Sequence, residues 1–279
     1  MINSIDHLII VVKDLNIAAK NYQKVLGIDP VWKGEHKELG TANVLFNFKN
    51  TYLELLSASG EGLGASIVND TLDKSGEGLA GIVFGTESID KTTNLLKEKG
   101  FKVDMPSVGE GINSSNQEIR KWKNLFLPLE LTRGLFSFII EHTQGELPPT
   151  QLYSDASFNK LDHVVINTND ADGFIDIYKD VFGIRLALDK VIEHWNSRML
   201  FFRTNKTTIE VIEKNDGKET LDSLWGLAWE VESIDKTHKR LIKEGVEVTD
   251  IKSGLKENTL VATIKSHTNN VPTLLIEHT

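Results

Sequence analysis

The chain opens on a short apolar run, Ile5–Val12, broken by a polar Asp-His pair. Directly afterwards the spacing changes. Leu15, Ala18, Ala19, Tyr22, Val25 and Leu26 recur at the interval of an amphipathic helix, with Asp14 placed as N-cap and Gly27 as the stop. Strand-like runs follow at Ala42–Phe48 and Tyr52–Ser57, with a weaker one near Val31. The order then restarts. Leu79–Gly85 reads as a strand, Ser88–Lys99 as a helix ending at Gly100, and further strands are expected near Lys102, at Lys121–Phe126 and at Phe136–Glu141. Between the two patterns, GEGLG at 60–64 reads as a flexible connector, and the loops 60–78 and 106–120 give no clear conformation. The second half repeats both patterns, with Asp172 expected to cap a helix Gly173–Phe182 that stops at Gly183, and a second helix Ser233–Glu244 stopping at Gly245.

The halves are copies. Leu79–Val103 aligns without a gap on Leu224–Val248, and Glu87–Thr92 is identical to Glu232–Thr237. IDHLIIVV pairs with LDHVVINT, YLELL with TIEVI, and IIEHT with LIEHT. The two prolines and small polar residues of Gln144–Asn159 read as the linker. The expected organisation is α+β: four βαβββ modules, at 1–58 and 79–143 within a first domain 1–146, and at 160–214 and 223–279 within a second domain 158–279.

Composition narrows the chemistry. The 279 residues suffice for two cores, and a net charge of −9 without basic runs argues against nucleic-acid or anionic-membrane partners. There is no cysteine, so a metal here must be held by His, Asp or Glu. The apolar run Leu8–Val12 is too short for a signal peptide, which leaves the cytoplasm as the expected compartment. GEGLG at 60–64 lacks the strand–turn–helix context of a phosphate loop, and no G-x-S-x-G elbow is present, so neither a nucleotide cofactor nor nucleophilic hydrolysis is expected.

Paired βαβββ modules with an Asp-His opening strand resemble the vicinal-oxygen-chelate superfamily, which includes glyoxalases, bleomycin-resistance-type binding proteins and extradiol dioxygenases. The stretch Trp32–Ala58, with its G-x-H, G-T-x-N and Y-L-E-L pattern, is similar to the glyoxalase-like group. The resemblance implies two tandem half-open barrels, each with a cleft that takes a divalent metal (Fe, Ni, Mn or Zn) and a small molecule.

Six of the eight histidines fall in equivalent pairs: His7 with His163, His36 with His194, His142 with His278. Glu54 pairs with Glu210 and Glu141 with Glu277. Core packing alone does not demand this, whereas either a metal site or a buried His–Glu hydrogen bond inherited by both halves would leave it. The resemblance implies His7, Glu54 and Glu141 as metal ligands, with His163, Glu210 and Glu277 in the second half. The remaining ligand position of each half is Gly81 or Gly226. Glu141, at a strand end, is the expected catalytic base. His36, Asn43, Trp122 and Arg133 are the expected substrate contacts, with Thr41, Phe126, Trp195, Arg198 and Trp229 as weaker ones whose commoner fates are core packing or surface pairing.

Three functions are therefore expected: a metal-dependent lyase or isomerase acting on vicinal oxygens, a metal-free small-molecule binding protein, or an extradiol dioxygenase-like oxygenase. The chain is expected to work as a monomer or homodimer.

Overall fold

The computed structural model describes residues 1–151, 153–193, 197–205, 207–214 and 221–279. Four βαβββ modules are present. The first comprises β1 (Ser4–Val11), α1 (Leu15–Leu26), β2 (Trp32–His36), β3 (Thr41–Asn47) and β4 (Tyr52–Ala58). Next comes a helix, α2 (Leu63–Ser75), which starts within the stretch read as a flexible connector and fills most of the loop 60–78. The second module comprises β5 (Gly78–Gly85), α3 (Ile89–Glu98), β6 (Ser107–Asn113), β7 (Ile119–Phe126), the short α4 (Leu129–Thr132) and β8 (Phe136–Gln144). The strand expected near Lys102 lies further on, as β6. The third module runs from β9 (Phe158–Thr168) through α5 (Ala171–Ile175) to β10 (Arg185–Ile192), β11 (Ser197–Thr204) and β12 (Thr207–Glu213). The fourth contains β13 (Ser223–Val231), α6 (Ile234–Lys243), β14 (Lys252–Ser253), β15 (Thr259–Ile264) and β16 (Thr273–His278). Among the described residues no helix is long and apolar enough to cross a membrane.

Helix starts follow their caps. Asp14, Ser88 and Ser233 each accept a backbone N–H of the first turn. In the third module the cap is Asp170, which accepts from Gly173 N, rather than Asp172. Asp172 is left one turn inside, where it pairs with Arg198.

The first two modules close into a barrel of order β1-β4-β3-β2-β6-β7-β8-β5. The last two form an eight-stranded sheet that stays open, β10-β11-β12-β9-β13-β16-β15-β14. The half-open barrels expected from the sequence are thus realised differently in the two halves. The closing seam is β2 against β6, with Gly34 opposite Asn113 and Glu35 opposite Ile112. A methyl group on Gly34 or Gly109 would fall on the Trp32 or Trp122 indole, so glycine lets these rings lie flat across the seam. In the second half β10 has no glycine and β14 has only two residues.

Strand alternation separates two cores. Leu8, Ile10 and Val12 face outward and join α1, α3, α5 and α6 in one continuous core shared by both halves. Its aromatic contacts cross the halves, with Phe84 5.9 Å from Tyr178 and Phe48 4.4 Å from Trp229. Ile9, Val11, Val83, Phe138 and Ile140 face inward and meet Val68 of α2.

Candidate functional site

The barrel interior holds a cavity of about 260 Å³. His7, His36, Thr41, Asn43, Tyr52, Glu54 and Arg120 form its polar end. Ile9, Val11, Phe136, Phe138 and Ile140 form an apolar wall, and α2 covers the mouth with Leu63, Ile67, Val68 and Thr71. At the start of α2, Gly62 has φ +151°, and any side chain there would strike the backbone of Leu39. That close approach docks the helix over the cavity.

His7 is the centre of the polar network. Its Nδ1 lies 2.7 Å from Asp6 Oδ1 and its Nε2 3.4 Å from Glu54 Oε2. Tyr52 stacks on the ring at 4.5 Å. Burial opposes a charge on His7, but the hydrogen bonds and charges of Asp6 and Glu54 overcome it and raise the imidazole from 6.5 to about 8. Burial likewise works against ionised Asp6, yet His142 (Nε2 3.0 Å away) and His7 hold its carboxyl well below the usual carboxylate range. For Glu54 burial is again outweighed, by His7, His36 and the Asn43 amide, and its carboxyl is lowered. His36 is lowered by burial and so favours the neutral ring. Its Nδ1 lies 3.0 Å from Thr41 Oγ1. The Asn43 amide donates to Glu54 Oε1 at 2.7 Å and lies 3.4 Å from His36 Nε2.

The structure therefore brings His7, Glu54, His36, Thr41, Asn43, Trp122 and Phe126 to one cavity. It does not bring the others. Glu141 faces out of the barrel, where its Oε2 accepts the N–H of Ile89 at 2.7 Å and caps α3. Glu277 does the same for Ile234 of α6, at 2.6 Å. The equivalence of this pair comes from helix capping, so Glu141 is neither a ligand beside His7 nor placed as the base. His142, one residue on, points to the other face and meets Asp6. Arg133 is far from the cavity and binds Asp222 (2.6 Å) and Asp170 (3.2 Å) of the second half. Arg198 pairs with Asp189 and Asp172 at the surface, and Trp229 lies in the shared core. His194 and Trp195 lie outside the described residues.

Strand register shows what replaced the second module's share of the site. Counting back equally from the caps Asp14 and Ser88 places Gly81 where His7 stands. In the first module His7 pairs with Tyr52 and Ile9 with Glu54, whereas in the second Gly81 pairs with Phe136 and Val83 with Phe138. Phe138 is thus the counterpart of Glu54. Facing His7 and Glu54 there is a glycine whose space is filled by Phe136 and Ile9, and a phenylalanine ring 6.2 Å from His7. A divalent ion held by protein needs three or four donors. His7 and Glu54 supply two; His36 also reaches the cavity, but its ring nitrogens are turned to Thr41 and Asn43, and among the described residues no third carboxylate or imidazole atom joins His7 and Glu54 within ligating range, so the residues present do not fit a metal of the expected kind.

In the second half His163 repeats the pattern, 2.8 Å from Asp162 and 3.7 Å from Glu210, whose carboxyl is raised by burial. The sheet there is open, and Glu277 is again a cap. Asp162, Glu230 and His278 bring donor atoms within 4.8 Å of one another, but Lys160 already neutralises Glu230 at 2.8 Å.

Sequence reasoning missed Asp6, Arg120, Asn124 and α2. The Asp-His dipeptide, repeated at Asp162-His163, was the available signal for Asp6.

Comparison with known proteins agrees with this architecture. The model described as "Glyoxalase-like domain" matches residues 5–182, and that of the "Glyoxalase/Bleomycin resistance protein/Dioxygenase superfamily" matches 162–263. Over 104 residues, 37% of this chain and 75% of the relative, it is 32% identical to an ethylmalonyl-CoA/methylmalonyl-CoA epimerase of Cereibacter sphaeroides. Among solved structures, a mutant of 4-hydroxymandelate synthase from Streptomyces coelicolor matches 99% of this chain and 92% of its own, with a TM-score of 0.69 at 14% identity. The Mn(II)-bound glyoxalase from Novosphingobium aromaticivorans matches 99% of this chain and 82% of its own, at 0.64 and 15%. At such identities the structures speak for the fold, and the family match spans more than half the chain. With its four βαβββ modules and matching opening strands, the chain belongs to the glyoxalase-like domain family.

Proposed function

We propose that the first-half barrel binds a small organic molecule without a divalent metal, its polar end against His7, Asn43, Glu54 and Arg120 and its body against the apolar wall. The observation that carries this is the replacement of the second module's donor positions by Gly81 and Phe138. These residues turn that half of the interior into a hydrophobic surface, as a site for an apolar body requires. The remaining pair, His7 and Glu54, is saturated by Asp6, Asn43 and each other. It reads as a fixed polar floor rather than as a mobile base. The metal-assisted lyase or isomerase and the dioxygenase-like oxygenase both need donors that the cavity does not bring together.

Two measurements test this. The protein purified without chelator is analysed for metals beside His7→Ala, and acetophenone, a one-ring probe, is titrated calorimetrically with and without EDTA. The expected result is no stoichiometric metal and binding unaffected by EDTA. One metal per chain lost in His7→Ala, or probe binding that disappears with EDTA, would return the reading to metal-assisted chemistry.

A further inference from the structure

Among the described residues, four buried side-chain polar atoms have no hydrogen-bond partner: Asn43 Oδ1, Arg120 Nε, Asn124 Oδ1 and Asn269 Oδ1. The first three belong to residues lining the barrel cavity. Native proteins leave few such atoms, and each costs a desolvation penalty unless something pairs with it. Their clustering in one cavity marks where a ligand's polar groups belong.

The network fixes the orientation of the Asn43 amide and what Arg120 has left to donate. Asn43 is 3% exposed, and its Nδ2 is committed to Glu54 and directed at His36. Flipping the amide would put its oxygen against the Glu54 carboxylate, so Oδ1 is the acceptor left facing the cavity. Arg120 is 6% exposed. Its guanidinium sits 5.6 Å from the Trp32 and Tyr52 ring centres, and one terminal nitrogen lies 3.4 Å from His142 Nδ1. Nε–H remains as an unmet donor. Asn124 Oδ1 adds a second acceptor. The complement of one donor and two acceptors is one acceptor and two donors on the ligand. A primary carboxamide presents these in a single neutral, planar group. A carboxylate would present no donor to the Asn43 and Asn124 oxygens. At about 260 Å³ the cavity falls below the roughly 300–1,000 Å³ of drug-sized sites, which leaves room for about one ring.

We infer that the cavity takes a neutral one-ring molecule headed by a primary carboxamide, with Arg120 donating to its carbonyl and Asn43 and Asn124 accepting from its amino group. This rests on the binding reading above and specifies its ligand class.

The test compares benzamide, acetophenone and benzoate, which share one ring and nearly one shape, by calorimetry on the full chain. Benzamide is expected to bind at least about tenfold tighter than either. Arg120→Lys, which keeps the charge but not Nε–H, should weaken benzamide and acetophenone alike, because both carry the carbonyl it donates to, whereas Asn124→Leu, at a half-buried position, removes an acceptor that only the amino group uses and should narrow the benzamide preference severalfold. Thermal unfolding of both variants checks that they fold. Equal affinity for benzamide and acetophenone would overturn the head assignment and leave the cavity reading standing. Tightest binding by benzoate, a preference undiminished in Asn124→Leu, or benzamide affinity unmoved by Arg120→Lys would also overturn it. If none of the three binds, the cavity reading fails with it.

Discussion

Asp6 is the carboxylate shared by His7 and His142, and Asp6→Asn isolates its electrostatic role at nearly constant shape. In the wild type Asp6 accepts from His7 at 2.7 Å and lies 3.0 Å from His142 Nε2. The imidazole of His7 is raised from an unfolded value of 6.5 to about 8. Because the folded state holds this proton more tightly, the contribution is fully present below about pH 6.5 and is lost as the pH rises through 8. The rise corresponds to about 2 kcal/mol. With Asp6 neutralised, burial is opposed only by Glu54, so the His7 pKa falls and most of this contribution goes. The destabilisation by Asp6→Asn should therefore be about 1–2 kcal/mol larger at pH 6 than at pH 9, where His7 is neutral in both proteins. Taking the difference between two pH values removes whatever the substitution does to packing.

The assay is urea unfolding at pH 6 and pH 9, with the His7 ring titrated by NMR and assigned from the spectrum of His7→Gln. Equal destabilisation at both pH values, or a His7 pKa unmoved in Asp6→Asn, would refute the reasoning. Asp6 and Glu54, whose carboxyls are lowered, act on the acid side: their contribution is present above the unfolded carboxylate range and is lost as the pH falls through their folded values.

Other positions separate structure from binding. Glu141→Gln should cost about 0.5–1 kcal/mol in chemical denaturation, by weakening the α3 cap, and leave probe affinity unchanged; a loss of affinity would return Glu141 to the site. Gly62→Ala forces a side chain onto the backbone of Leu39, so it should lower stability by more than about 1 kcal/mol and weaken probe binding, with proteolytic cleavage appearing in 60–78; an unchanged cleavage pattern and affinity would sink the docking role of α2. Arg133→Met strands Asp222, whose side chain is 2% exposed, and should cost about 3–5 kcal/mol in denaturant unfolding, much of it restored by adding Asp222→Asn. Probe affinity should not change in either, and a specific loss would revive Arg133 as a ligand clamp.

The modules were legible in the sequence because period and caps agree: Asp14 and Ser88 start helices whose apolar faces the strands demand. α2 was not, since the glycines at 60–64 mimic a loop while serving a close backbone contact, and only Ala65 and Val68 of the helix are buried. Barrel closure was hidden for a related reason. It depends on β2 of the first module pairing with β6 of the second, a relation between positions far apart in the chain, and on glycines that leave room for the Trp32 and Trp122 indoles there. The site was half legible. His7, His36, Asn43 and Glu54 share inward-facing positions, which alternation reveals. Glu141 misled because its equivalence with Glu277 is genuine but has a structural origin, and strand register was needed to show that Phe138 is the true counterpart of Glu54.

Repetition of polar residues between halves is thus weak testimony for a metal in this fold. The Asp-His-Glu network recurs around His163, and the capping glutamates recur on α3 and α6, while the cavity described above lies in the first half. What distinguishes that half is apolar and backbone in character: the glycine–tryptophan seam, Phe136 and Phe138 on the wall, and α2 over the mouth. A duplicated polar network that ties strands of one sheet together in each half leaves one copy free to be sealed. Sealing then makes the few unpaired polar atoms inside it selective, because each now lacks the alternative of bulk water.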